Sequence, residues 1–295
     1  MAVKKRRNPS NSPYLFWGFY GMLALGAVIL GALIGVVFGW AIDLPRVEEL
    51  EYMQPSQVSV LYSSSGEMLD QFATEKRVLV RYEEIPEIVK QAIISSEDKN
   101  FFTHPGIDVK RMFVTIFWND LIKGNRWGFS TITMQLSKMR FTSSGKTIER
   151  KIKDIFYAID MEKKYSKEQI FTFYVNQMNL GHGRYGIAAA TDFYFHKQLK
   201  DITLPEAALL AGSIQLPGRA SPINNPERAL YRRNWVLGEM RDNGYITRDQ
   251  YEEAAQQPLG VIGRDDQQAP APYFVEWVRQ GLKENYSDEE IWEGG

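Results

Sequence analysis

Residues 92–108, AIISSEDKNFFTHPGID, and residues 128–136, GFSTITMQL, decide how this chain folds and works. In the first block Glu97 and Asp98 close an apolar helical run spanning Ile88 to Ile94, and Phe101, Phe102 and His104 follow at once. A carboxylate held there is partly withdrawn from water, which raises its pKa toward a range useful for proton transfer. In the second block Gly128, Ser130, Thr131 and Thr133 stand at an expected helix start, where backbone N–H groups face an anion. A place for a proton and a place for a negative group, so close in sequence, point to transfer from a phosphorylated donor.

The pattern EDxxFxxHxGID followed by GxSTIT resembles the first two motifs of the peptidoglycan glycosyltransferases. These are the monofunctional transglycosylases and the N-terminal halves of class A penicillin-binding proteins. Three further motifs follow in order. Arg150-Lys151-Ile-Lys-Asp154 resembles the family's RKxxE, KEQIFTFYVN ending at Asn176 resembles KxxILExYLN, and Gly181 to Ala190 resembles its glycine-rich turn into a small-residue helix. The resemblance covers roughly Val58 to Tyr273. It implies a mainly α, lysozyme-like glycosyltransferase domain preceded by a short membrane-proximal β-hairpin. The implied reaction polymerises lipid II into glycan strands outside the cytoplasmic membrane, with inversion at the anomeric carbon and release of undecaprenyl diphosphate.

Carried over residue by residue, the resemblance implies Glu97 and Asp154 as catalytic carboxylates, Glu97 taking the proton of the acceptor hydroxyl. Substrate contacts are implied for Asp98, Phe101, His104, Gly106, Gly128, Ser130, Thr131, Gln135, Lys138, Arg150, Lys151 and Asn176. Asp154 would lie near the donor diphosphate and a divalent cation such as Mg²⁺; no organic cofactor is implied. Two positions depart from the family pattern. Asp154 replaces a glutamate and is one methylene shorter, and Met134 stands where relatives show the first of two glutamines, Gln135 keeping the second.

Around this centre the charge is uneven. The chain of 295 residues has a formal net charge of −1, yet between Lys123 and Lys153 eight basic residues face one acid, Glu149. They are Lys123, Arg126, Lys138, Arg140, Lys146, Arg150, Lys151 and Lys153. Beside a hydroxyl-rich helix start, a diphosphate is the economical ligand for them. Elsewhere acids predominate, which argues against nucleic acid as a partner. Gly145-Lys146-Thr147 is not a phosphate loop, because Arg140 occupies the place of its first glycine. Ser96 to Lys99 fits SxxK, but neither an SxN nor a KTG element follows. There is no cysteine, and His182 and His196 have no partner at metal-ligand spacing, so zinc is not expected.

The chain divides as follows. Residues 1–13 form a basic tail that predicts a cytoplasmic N-terminus. Residues 14–42 carry no charge and exceed the ~20 residues that span a bilayer, with Trp17, Tyr20 and Trp40 near the ends. That length, without a small-residue cleavage site, argues against a signal peptide. Gly31, Gly35 and Gly39 form a stripe that would let a second copy approach. Residues 43–84 make a stalk and hairpin, with strands expected at Val58–Tyr62 and Arg77–Arg81 and a turn at Ser63–Gly66 before Glu67–Phe72. Residues 85–262 are the catalytic domain, helical from Pro86 onward, with capping boxes at Ser166–Gln169, Thr203–Glu206 and Thr247–Gln250. Met112 to Ile122 is strongly apolar: either a buried helix or, as the resemblance implies, a jaw dipping into lipid, with Arg111, Lys123 and Arg126 suited to anionic headgroups. Residues 263–295 read as a linker-like tail, where bifunctional relatives continue into a transpeptidase domain; a glycosyltransferase-only protein and a truncated longer one both fit.

Localisation follows as a single-pass protein of a bacterial cytoplasmic membrane, its catalytic domain outside. Expected partners are lipid II, the nascent strand, membrane lipids, and a transpeptidase or divisome and elongation proteins. Two other classes stay open. A lytic-type glycosidase would use Glu97 on a neutral glycan, and an inactive scaffold would bind lipid II without turnover.

Overall fold

The computed structural model describes residues 13–42, 47, 59–72, 76–115, 128–142, 147–214, 218–262 and 271–287. The basic tail, Lys123, Arg126, Lys146, most of the stalk and the apolar segment after Thr115 lie outside the described residues.

The protein is mainly helical. The first helix, α1 (Pro13–Ile42), has no charged residue in its terminal turns. Trp17, Met22 and Val28 on it are exposed. Among the described residues no helix is long and apolar enough to cross a membrane.

A hairpin follows. β1 (Ser59–Tyr62) pairs antiparallel with β2 (Met68–Phe72), and the turn at residues 63–66 closes with Gly66 at φ 82°. The expected strand Arg77–Arg81 is not formed. β3 is only Lys76–Arg77, paired in parallel with β4 (Arg184–Tyr185). Past it, the Val80 N–H donates to Asn176 Oδ1 at 3.0 Å and the Val80 carbonyl accepts from Asn176 Nδ2 at 2.9 Å, so a side-chain amide takes the place of a neighbouring strand. Val78 and Leu79 stay exposed, and a 3₁₀ turn at Tyr82–Glu84 leads into the domain.

The domain packs around two helices. α2 (Glu87–Glu97) buries Val89, Ala92 and everything from Ile93 to Glu97. α8 (Leu204–Ser213) is buried from Pro205 to its end. The capping boxes at Ser166, Thr203 and Thr247 are all present and open α6 (Lys167–Gln177), α8 and α10 (Arg248–Gln256). Small residues permit close approach: a Cβ on Gly212 of α8 would lie 3.1 Å from the Arg232 backbone carbon on α9 (Pro226–Asp242). The remaining helices are α3 (Val109–Val114), α4 (Ile132–Arg140), α5 (Ile148–Lys164) and α7 (Ile187–Phe195). α11 (Pro272–Lys283) packs Val275, Val278 and Leu282 on Leu61 and Leu69 of the hairpin, apart from the main core.

Gly106 lies where the loop after α2 crosses α5. Its φ is 86°, and a Cβ there would meet the Ala158 carbonyl oxygen and the Glu162 Cγ at 2.9 Å. An L side chain at such φ costs about 1–2 kcal/mol before any clash, and overpacking adds about 1–3 kcal/mol. Gly106→Ala is therefore expected to lower unfolding free energy by about 2–5 kcal/mol, read from denaturant midpoints. Gly66→Ala, with open space around it, should show only the smaller backbone part.

Candidate active site

Glu97 is the last residue of α2 and Asp98 its C-cap, and they are 2 % and 1 % exposed. Helix carboxyl ends repel negative charge, so both acids need donors from elsewhere. For Glu97 the donor is Gln135 on α4, whose Nε2 gives a 2.7 Å bond to Oε2. The Gln135 amide is oriented from behind, because its Oε1 accepts from the Tyr174 hydroxyl at 3.1 Å. Tyr174 is fully buried; burial, and then the Glu97 and Asp98 charges, hold its pKa well above the usual value. It therefore stays protonated and keeps the chain Tyr174→Gln135→Glu97 running in one direction.

Asp98 meets the amino end of α4. Its Oδ2 accepts from the Ile132 N–H at 3.0 Å and lies 2.8 Å from His104 Nε2. Thr131 caps the same helix, accepting from Met134 N at 3.2 Å and donating to the Gly106 carbonyl at 2.6 Å. Arg111 closes the group, Nη1 donating to the Glu97 carbonyl at 3.2 Å and Nη2 to the Gly128 carbonyl at 3.3 Å. The arginine expected to face headgroups thus holds backbone.

A cationic group lines the same helix. Lys151 on α5 donates from Nζ to Ser130 Oγ at 2.6 Å and sits 4.7 Å from the Phe129 ring. Burial lowers its pKa to about 8; Asp154 opposes the shift, while Arg150 and Lys138 add to it. Asp154 is buried, its Oδ1 accepting from Thr142 at 2.8 Å and Ser137 at 3.4 Å, with Arg150 Nη1 3.6 Å from Oδ2. Burial raises its pKa, against the pull of Thr142, Arg150, Lys151 and Ser137. Thr142 and Arg150 also line a cavity of about 220 Å³ with Phe141, Thr147, Glu149 and Lys153. Lys153 is held at 2.7 Å by Glu149, a surface pair within α5.

Most of the expected site residues gather along α4. Glu97, Asp98, His104, Gly106, Gly128, Ser130, Thr131 and Gln135 surround its amino end, and Arg150, Lys151 and Asp154 face it from α5. Lys138 lies exposed on α4 itself. Two expected contacts are placed differently. Phe101 is fully buried against Phe171, and Asn176 gives both ends of its amide to Val80. Met134 is buried with Phe129 and Ala158, so this departure from the motif falls in packing.

Asp154 is the residue at which the resemblance implies a divalent cation. Its carboxylate is engaged by two hydroxyls among cations, and among the described residues no group of three acids or histidines could hold a metal.

Sequence reading missed Tyr174 as the partner of Gln135, Ser137 and Thr142 as partners of Asp154, and Arg232. Arg232 gives Nε to the Gly212 carbonyl at 3.1 Å and stacks 4.4 Å from the Trp235 ring. Burial lowers its pKa and the Glu97 charge opposes this, which places α9's guanidinium within the field of the carboxylate. No spacing signal in the sequence links position 232 to position 97.

Residues 65–241 match the family model described as Transglycosylase. Penicillin-binding protein 1A of Aquifex aeolicus is 37% identical over 271 residues, covering 88% of this chain and 37% of that protein. Penicillin-binding protein 1A of Neisseria gonorrhoeae is 34% identical over 279 residues, 94% of this chain and 34% of that protein. The chain thus spans about a third of the length of these curated relatives. Among solved structures, Penicillin-Binding Protein 1A from Haemophilus influenzae aligns with 82% of this chain and 26% of its own at 21% identity, with a TM-score of 0.49.

Lys151 has a measurable signature. Below pH about 8 its buried ammonium costs stability; from there to the ordinary lysine value of 10.5 the unfolded chain holds a proton that the folded one has released. Stability contributed at this site therefore rises with pH across that window, by up to about 3 kcal/mol. Comparing denaturant midpoints of wild type and Lys151→Met at about pH 7 and pH 10 should show the increment in wild type only.

Proposed function

The chain belongs to the transglycosylase family, and on that premise we propose that it is a membrane-anchored peptidoglycan glycosyltransferase polymerising lipid II. The observation that carries this reading is the way α4 couples two buried charges of opposite sign. Gln135 ties the Glu97 carboxylate and Ser130 ties the Lys151 ammonium. Ser130 lies just before the Thr131 cap and Gln135 near the start of the helix, so both ties sit at its amino end, an arrangement suited to an anomeric centre and its diphosphate. In this scheme Glu97 accepts the proton of the acceptor sugar hydroxyl as its oxygen attacks the anomeric carbon. The bond from that carbon to the diphosphate breaks with inversion, and undecaprenyl diphosphate leaves with the electron pair.

Lys151, Arg150 and Lys138 stabilise the charge that grows on the leaving oxygens. Asp154 keeps the cations in place through Arg150, and the cavity beside Thr142 and Thr147 gives room for a phosphate group. Arg232 balances Glu97 from α9. Such a row of cations favours an anionic donor over the neutral glycan of a glycosidase. Mg²⁺ bound through the diphosphate's own oxygens would neutralise charge there; no step above depends on it.

The uncharged run from Tyr14 to Ile42 and its outward apolar side chains support α1 as a single-pass anchor, with the domain outside the cytoplasmic membrane. Gly31, Gly35 and Gly39 leave open space for a second helix. Exposed Phe113 and Val114 on α3 support contact with lipid near the substrate's tail. A transpeptidase and cell-division or elongation proteins are the proposed partners.

Labelled lipid II, incubated with the detergent-solubilised chain with and without Mg²⁺, should give a ladder of polymer on a gel. Glu97→Gln keeps the hydrogen bond to Gln135 and should lose turnover by about 10²–10⁴-fold with folding intact. Lipid II bound without any polymer in the wild type would instead support the scaffold.

A further inference from the structure

The side chain of Glu162 on α5 is 8 % exposed, in a place no transfer step uses. Its Oε1 accepts from Thr133 Oγ1 of α4 at 2.6 Å and from Lys167 Nζ at 2.7 Å. Lys167 opens α6, where a cation opposes the helix dipole. It is held there by three partners: Glu162, the His104 carbonyl at 2.7 Å, and the Phe101 ring at 4.6 Å. The His104 ring in turn meets Asp98, and Asp98 accepts from Ile132 N, one residue from Thr133. A closed circuit of hydrogen bonds therefore runs through α4, α5, α6 and the loop after α2. Glu162 is its junction. The close fit of Gly106 against the Glu162 Cγ presses the same loop onto the same side chain.

We infer that Glu162, with Lys167 and Thr133, is a positioning unit for the transfer reaction. It fixes the Asp98–Gly106 loop against the amino end of α4, and so sets where Glu97, adjacent to Asp98, stands relative to Gln135 and Ser130. This deepens the glycosyltransferase reading and rests on it. A buried carboxylate with a hydroxyl and an ammonium on one oxygen is rigid, because loss of any partner leaves a buried group uncompensated. Displacing the reacting groups by about 1 Å can cost on the order of a hundredfold in rate, while the diphosphate contacts from α5 remain.

The full chain in detergent, assayed with lipid II under steady-state conditions, tests the inference. Glu162→Gln and Thr133→Val should each lower kcat by about tenfold to a hundredfold, with KM changed by less than about threefold and an unfolding midpoint above the assay temperature. Thr133→Ser, which keeps the hydroxyl, should restore kcat to near wild type. The double variant Thr133→Val/Glu162→Gln should be no slower than the slower single variant, since both cut one circuit. Should Glu162→Gln fail to fold, the Thr133 pair still decides. Wild-type kcat in folded Thr133→Val, or losses that multiply, overturns the positioning role while the transferase reading stands. Polymer absent from the wild type overturns both.

Discussion

Two adjacent carboxylates buried at the carboxyl end of a helix set the problem that the rest of this domain solves. The end of α2 already carries partial negative charge, and Glu97 and Asp98 add to it with almost no exposure to water. Burying such charge without donors is costly. The fold answers by bringing the amino end of α4, with its unsatisfied N–H groups, against the end of α2. Asp98 takes the first of those N–H groups and Gln135 reaches Glu97 one turn further on. Arg111 then binds the Glu97 carbonyl, supplying a cation where the dipole is negative. A helix end of each sign meets its opposite, and the Glu97 carboxylate is retained in a dry place.

The same logic governs the cations. Lys151 is buried enough for its ammonium to be weakened, yet three features keep it usable: the Ser130 hydroxyl, the Phe129 ring and the charge of Asp154. Asp154 is held by hydroxyls of α4 and the segment after it, so its charge steadies Arg150 and Lys151 from within the protein. The shorter side chain at this position suits that inward role, reaching Thr142 across the end of α4. Positive and negative groups are thus each built on one helix and oriented by another, with α4 common to both.

Much of this was legible in the sequence because it is local. A capping box is a hydrogen-bond pattern within four residues, and all three expected ones form. The end of α2 follows from its apolar periodicity stopping at Glu97. The strand expected at Arg77–Arg81 failed for the opposite reason. Alternating valine and leucine there satisfy strand propensity, but the partner they find is one side chain, Asn176, about a hundred residues away. Phe101 likewise reads as a site aromatic from its motif and proves to be core, because α6 covers it. Lys167 opens the KEQIFTFYVN motif, but Glu162 does not stand out, since an acid and a base five residues apart across a helix boundary resemble any solvated pair.

What separates the two kinds of residue is whether a side chain's partner lies on its own element. Residues satisfied within their own turn can be recognised from spacing, and they define where helices begin and end. Residues satisfied across elements fix the angles between helices, and those angles place Glu97 against α4 and Lys151 against Ser130. Gly106 and Gly212 belong to the second kind although they carry no polar group at all. Each marks a point where backbone from another element comes within about 3 Å of where a Cβ would be, so that the absence of a side chain is itself the contact. The chemistry depends on both kinds, because a carboxylate in a dry site acts only if the donor facing it is held at hydrogen-bond distance by something that does not move. In this domain that something is the packing of α4 on α5 and α6.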